Sequence, residues 1–242
     1  DPQVSGVRPI ALGRATKLLR YIAAKDKTYV GIIKFREPQE KKRVEELFAQ
    51  FTGEIEQTPP KMSAVRRRRR KRVVHYLKLL EARGRFALFE TKVDAGTYIR
   101  TLCVDIGKKC GGARMEELRR VAVGNISEKK SHTMQELIDA MHAWKEENDS
   151  SLLGRMIHRP EEFIGLPKVF LKESALEAIF AGAQVMVPAV EKFDKGVKED
   201  ERVAMYAGKR FVGVGIAKLS AEELGKRKRG LAVKLERVHR PD

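Results

Sequence analysis

A carboxylate that can meet a guanidinium is the first place to look for chemistry in this chain. The sequence opens Asp1-Pro2-Gln3-Val4-Ser5-Gly6, and a later run, Gly96-Thr97-Tyr98-Ile99-Arg100-Thr101-Leu102, supplies an arginine able to pair with that acid. An acid at work in a pocket that excludes water must stay ionised, and burying a carboxylate alone is prohibitive without a cationic partner. A guanidinium within about 4–6 Å holds it ionised, and a bidentate pair fixes its direction. Between the two runs stands Lys27-Thr28-Tyr29, which adds an aromatic ring and a phenol. Each group also has an ordinary reading: Asp-Pro starts turns, Arg100 suits a helix surface, and Tyr29 suits a core. Their company is what singles them out.

A second feature is electrostatic. Arg66, Arg67, Arg68, Arg69, Arg70, Lys71 and Arg72 run without interruption directly after Pro59-Pro60-Lys61-Met62-Ser63-Ala64-Val65. Like charges this dense repel unless a polyanion screens them. The alternatives are an import signal or a solvated loop. Over all 242 residues, 50 Lys and Arg stand against 33 Asp and Glu, a net charge of +17, so a polyanion is the natural partner. With 42% hydrophobic residues recurring at helical and strand periods, this is a folded basic protein rather than a basic tail. No long uninterrupted apolar stretch or signal-like start appears, which argues against membrane and export.

The elements that must position these groups follow from periodicity. Arg14–Ala24 reads as a helix and Lys27–Phe35 as a strand with Tyr29, Gly31 and Ile33 on one face. Val44, Leu47, Phe48 and Phe51 mark a helix that ends at Thr52-Gly53, and the prolines make 56–60 a loop. Val73–Ala82 and Arg85–Val93 read as a hairpin turning at Arg83-Gly84. Thr97–Lys109 reads as a helix stopped by Gly111-Gly112. A short helix is expected over Met115–Leu118, then a strand over Val121–Ile126 and a helix over Met134–Trp144. From about Leu166 the elements shorten, with strands expected at 169–171, 185–187, 203–206, 210–218 and 231–238, the signature of a small β-barrel or sandwich. The expected division is a first domain over 1–150, a linker over 151–165 and a second domain over 166–242. The two cysteines, Cys103 and Cys110, fall on one face of a single expected helix, two turns apart, which gives no disulfide framework and suggests a reducing compartment. None of the five histidines stands at ligand spacing, so no metal is expected.

The Asp1 run, Lys27-Thr28-Tyr29, and Gly96 to Leu102 with Asp105-Ile106-Gly107 following together resemble the active site of the TruB-type pseudouridine synthases. Within that group the Pro-Pro-Lys-Met-Ser-Ala-Val run resembles the archaeal and eukaryotic box H/ACA branch, and the segment from Leu166 resembles a PUA domain. The likeness spans nearly the entire chain. It implies an α+β fold: a mixed or antiparallel-sheet catalytic domain followed by a small PUA β-barrel-like domain. It also implies that Asp1 attacks or deprotonates the ribose of a target uridine, so that the glycosidic bond breaks and the uracil rejoins through carbon. Tyr29 would stack on the flipped base and Arg100 would pair with Asp1. Lys27, Leu102, Leu118 and Arg120 would meet the substrate, and the basic run with Lys168, Gly182 and Ala183 would meet RNA. No cofactor is implied.

The implied partners are an H/ACA guide RNA, a substrate RNA, and small zinc-ribbon-like, β-barrel and kink-turn-binding proteins, with no membrane. The compartment would be cytoplasmic in an archaeon and nucleolar in a eukaryote. Two other readings stand beside this one. The first is a stand-alone tRNA pseudouridine synthase acting on the T-loop. The second is an RNA-binding scaffold crippled in catalysis, because relatives usually carry a strand and loop ahead of the aspartate.

Overall fold

The computed structural model describes residues 4–60, 66 and 68–240, so Asp1 and Arg67 lie outside the described residues. The chain forms two compact units. One comprises the chain up to Pro9 with Tyr21–Met156, and the other comprises Ile10–Arg20 with everything from Ile157.

The first unit is built on a sheet of β1 (Ser5–Gly6), β2 (Lys27–Phe35), β3 (Gly53–Gln57), β4 (Arg70–Arg83), β5 (Phe86–Val93), β6 (Ala113–Val123) and β7 (Ile126–Ser127). The strands lie in the order β1-β6-β2-β5-β4-β3, with β7 folded back on β6. β1 joins β6 in parallel, and the other pairs are antiparallel. After the short helix α1 (Leu19–Ala23), α2 (Lys41–Gln50) and α3 (Ile99–Gly107) supply the apolar stripes that cover the sheet. Val44, Leu47 and Phe48 of α2, with Ile99, Leu102, Cys103 and Ile106 of α3, join Ile33, Phe35, Phe89, Val93 and Leu118 in one buried cluster. Phe48 meets Phe89 edge to face at 6.1 Å. Gly107 closes α3 against β6 so tightly that a Cβ there would stand 2.1 Å from the Ala113 nitrogen. Helices α4 (Met134–Glu146) and α5 (Ser151–Met156) follow, α4 opening on a capping box between Thr133 and Glu136.

The second unit carries α6 (Glu161–Ile164) and a six-stranded mixed sheet. Its elements are β8 (Lys168–Leu171), α7 (Leu176–Phe180), β9 (Val185–Met186), β10 (Val190–Phe193), β11 (Arg202–Ala207), β12 (Arg210–Ala217), α8 (Ala221–Lys226) and β13 (Leu231–Val238). The strand order is β10-β8-β11-β12-β13-β9, with β8 and β11 parallel. Val169, Leu171, Ile179, Val203, Met205, Val212 and Val233 form its core.

Most of the expected elements are present, and the departures have physical causes. Met115–Leu118 is not helical: both residues lie in β6. Ile33 pairs with Met115 while Ile32 pairs with Glu117, so Glu116 is a bulge. That bulge turns two residues three positions apart to the same buried side, which imitates helical spacing. The strand expected over 121–126 is broken by a turn at Gly124, and β3 extends to Gln57 inside the expected loop. β10 went unforeseen. The helix that carries Cys103 ends at Gly107, so Cys110 lies beyond it rather than on its face. Cys103 is buried, which pushes its thiol up to about 12.

Candidate active site

The register of β1, β6 and β2 assembles one group of the expected site residues. Gly6 is paired with Arg120 on one side of β6, and Tyr29 is paired with Arg120 on the other. β1 approaches very closely: Gly6 has φ +104°, and a Cβ on it would lie 2.2 Å from the Arg120 carbonyl oxygen. The Arg120 Nε–H donates to the Val7 carbonyl at 2.6 Å, which pins its guanidinium beside the incoming strand. Burial pushes the Tyr29 phenol up, while the positive charge of Arg120 and its hydrogen bond oppose that rise. Lys27 donates to the Lys25 carbonyl at 2.7 Å, and burial with the Arg120 charge lowers its ammonium while Asp26 opposes. Leu102 and Leu118 are buried in the cluster against which both Tyr29 and Val4 pack. Lys27, Tyr29, Leu102, Leu118 and Arg120 thus share one side of the first unit with the strand that continues from the Asp1 run.

Arg100 sits on the first turn of α3 with its side chain exposed. The turn that delivers it is held by a residue the sequence did not single out. Gln57, 4% exposed at the end of β3, accepts from the Tyr98 N–H at 2.9 Å and donates to the Tyr98 carbonyl at 3.1 Å. One buried amide therefore satisfies both main-chain groups of the residue two positions before Arg100. Gln57→Leu removes both bonds and strands the Tyr98 N–H, while the Tyr98 carbonyl keeps the Leu102 N–H at 2.9 Å; the loss costs about 1–3 kcal/mol. Chemical denaturation measures it, and a loss below about 1 kcal/mol would show that the turn keeps its own shape.

The basic run is only partly a loop. Arg66, Arg68 and Arg69 are exposed ahead of β4, whereas Arg70, Lys71 and Arg72 are its first residues. Arg69 pairs with Glu56 at 3.1 Å and Lys71 with Glu54 at 2.8 Å across the β3–β4 ladder. Arg72 turns the other way, its guanidinium against Gly96. Its Nε and the Thr97 Oγ1 are both buried with no hydrogen-bond partner among the described residues. In the second unit the Lys168 ammonium lies 5.5 Å from the Tyr206 ring. Gly182 and Ala183 form the exposed turn after α7, where their N–H groups donate to Ile179 and Ala178.

Comparison with known proteins agrees along the whole chain. Residues 1–99 match the TruB family pseudouridylate synthase N-terminal domain, 100–164 the tRNA pseudouridylate synthase B C-terminal domain, and 167–239 the PUA domain. These matches and the two-unit fold define an RNA-modifying enzyme with an appended PUA domain. The chain belongs to the TruB family of pseudouridine synthases. It is 41% identical over 241 residues to the probable tRNA pseudouridine synthase B of Pyrobaculum arsenaticum, covering 98% of this chain and 73% of that protein. The protein of the same name from Methanosarcina barkeri is also 41% identical, with 98% and 71% covered. Among solved structures, a chain of a Cbf5-Nop10-Gar1 complex superposes with TM-score 0.92 at 38% identity, covering 98% of this chain and 74% of that one. A chain of an H/ACA RNP bound to a substrate RNA containing 2'-deoxyuridine gives 0.91 at 35% identity, covering 100% and 74%. Among the described residues, no helix is long and apolar enough to cross a membrane.

Proposed function

We propose that this pseudouridine synthase acts inside a box H/ACA ribonucleoprotein, on a uridine that a guide RNA selects by base pairing. The carrying observation is the likeness, over the full chain, to a protein seen in an H/ACA RNP with substrate RNA. In this reading Asp1 attacks or deprotonates the ribose, and the Arg100 guanidinium keeps that carboxylate ionised and aimed. The bond from ribose to the base nitrogen breaks, the freed uracil rejoins through carbon, and the proton which that carbon carried leaves while the ring nitrogen gains one, so the product is an isomer. The uracil is both leaving group and nucleophile, so the reaction needs no cofactor. Tyr29 stacks on the extruded base, Lys27 and Arg120 supply positive charge around it, and Leu102 and Leu118 give the pocket an apolar wall.

Extracting a stacked uridine costs a few kcal/mol. The basic run from Arg66 to Lys71 offsets part of this by holding flanking phosphates, while Arg72, turned inward against Gly96, does not reach them, and Lys168, Gly182 and Ala183 hold the guide. Small zinc-ribbon-like, β-barrel and kink-turn-binding proteins complete the particle in this reading, which the presence of Nop10 and Gar1 beside the superposed chain supports. Replacing Arg66 to Arg70 by glutamine should weaken RNA binding whatever the sequence. It should also flatten the dependence of log K on log salt by roughly 0.7–0.9 per lost phosphate contact. Binding titrations at several salt concentrations measure the slope, and an unchanged slope removes the run from the RNA interface.

The curated relatives are named for tRNA, which favours a second reading, a tRNA pseudouridine synthase; in its stand-alone form such an enzyme would act on the T-loop with no guide. The deciding experiment assays purified protein, with and without the partner proteins, on a guided substrate and on tRNA alone. Turnover that requires the guide supports the ribonucleoprotein reading. Guide-free turnover on tRNA, with none on the guided substrate, overturns it.

A further inference from the structure

Three strands meet beside the turn that leads to Arg100, and each brings one metal-ligating side chain: Asp26 just before β2, His75 inside β4 and Asp94 just after β5. Val74 pairs with Val93 and Tyr76 with Lys92, so His75 is the unpaired residue of a bulge. A bulge re-aims a side chain, and here it points the imidazole at both carboxylates. His75 Nε2 lies 3.1 Å from Asp94 Oδ1 and 3.6 Å from Asp26 Oδ1. One ligand atom from each residue falls within 4.8 Å of the other two. Ligands about 2.0–2.1 Å from a tetrahedral zinc are separated by about 3.4 Å, so both His–carboxylate separations bracket the value a shared ion requires.

We infer that Asp26, His75 and Asp94 form a binding site for one divalent transition metal of the zinc class, which clips β2, β4 and β5 together ahead of the Arg100 turn. Imidazole with two carboxylates suits zinc and its neighbours better than magnesium or calcium, which take oxygen ligands alone. The ligands are already oriented. The second oxygen of Asp94 accepts from the Val73 N–H at 2.9 Å, which turns the first toward His75. The Asp26 carbonyl accepts from the Gly124 N–H at 2.8 Å, which fixes that residue's main chain. All three side chains are about one third exposed, Asp26 at 38%, His75 at 37% and Asp94 at 34%, so water can reach the remaining coordination position. Lys92 is the internal competitor: its ammonium lies 3.5 Å from Asp26 Oδ2.

The test uses the full chain, reduced and stripped of metal, titrated with Zn²⁺ in a calorimeter and with Co²⁺ in the visible range. A single site is expected whose occupation raises the melting temperature. His75→Ala and Asp26→Asn should each weaken it by at least the roughly 10- to 100-fold that loss of even an outer-shell partner costs. Lys92→Met should tighten it, a response that simple loss of structure would not give. Cys110→Ser should leave it unchanged. No binding up to millimolar metal overturns the inference, as does binding indifferent to His75→Ala or Asp26→Asn, or binding abolished by Cys110→Ser. A loss confined to His75→Ala also overturns it, because it describes a lone surface histidine.

Discussion

Asp1→Ala should leave folding and RNA affinity intact while slowing pseudouridine formation on the order of 10⁴-fold or more, the scale on which removal of a group that reacts with substrate is felt. The effect belongs to the chemical step, so single-turnover rates at saturating RNA are the measurement. Asp1→Asn should be nearly as slow, because an amide keeps the size of the side chain but neither attacks nor accepts a proton. Folding should be spared because Val4, just ahead of β1, already packs against the central cluster. A loss below about tenfold in either variant would end the assignment of Asp1 as the reacting group, since tenfold is only about 1.4 kcal/mol of barrier.

Arg100→Lys is expected to be the second most damaging change, lowering turnover on the order of 10²–10³-fold, as loss of an aligned donor at a charged site does. RNA affinity should move little. A lysine keeps the charge yet cannot present the planar fork that grips both oxygens of a carboxylate. The expected signature is a fall in kcat with nearly constant Kd for RNA. Parallel losses in both would instead describe an arginine that only holds phosphate. The Gln57 amide locks the Tyr98 main chain from the side of β3, so the start of α3 should stay in place when Arg100 is replaced.

Much of the fold was legible because its elements are long and periodic. β2, the β4–β5 hairpin and the stripes of α2 and α3 stand where alternation and i, i+3, i+4 spacing put them. β6 was misread because local spacing cannot distinguish a bulged strand from a helical turn: Met115 and Leu118 both face inward only because Glu116 is looped out against β2. The candidate site divides in the same way. Its motifs could be read because chemistry and resemblance attach to short runs. The meeting of Tyr29 with Arg120 could not, because it depends on strand register across 91 positions of chain. Gln57 reaches Tyr98 across 41 positions, and nothing near either residue announces the contact. Asp26, His75 and Asp94 likewise look like scattered surface polar residues until three strands bring them side by side.

The entry of β1 carries a consequence for sequence tolerance. At position 6 the main chain adopts a torsion that side chains resist, and the space where a methyl would go already holds the Arg120 carbonyl. If every amino acid were sampled there in a saturation library selected for pseudouridine formation, glycine alone should survive. Alanine at that position would prise the first strand off the sheet and carry the aspartate run away with it, silencing the enzyme without altering any group that touches RNA.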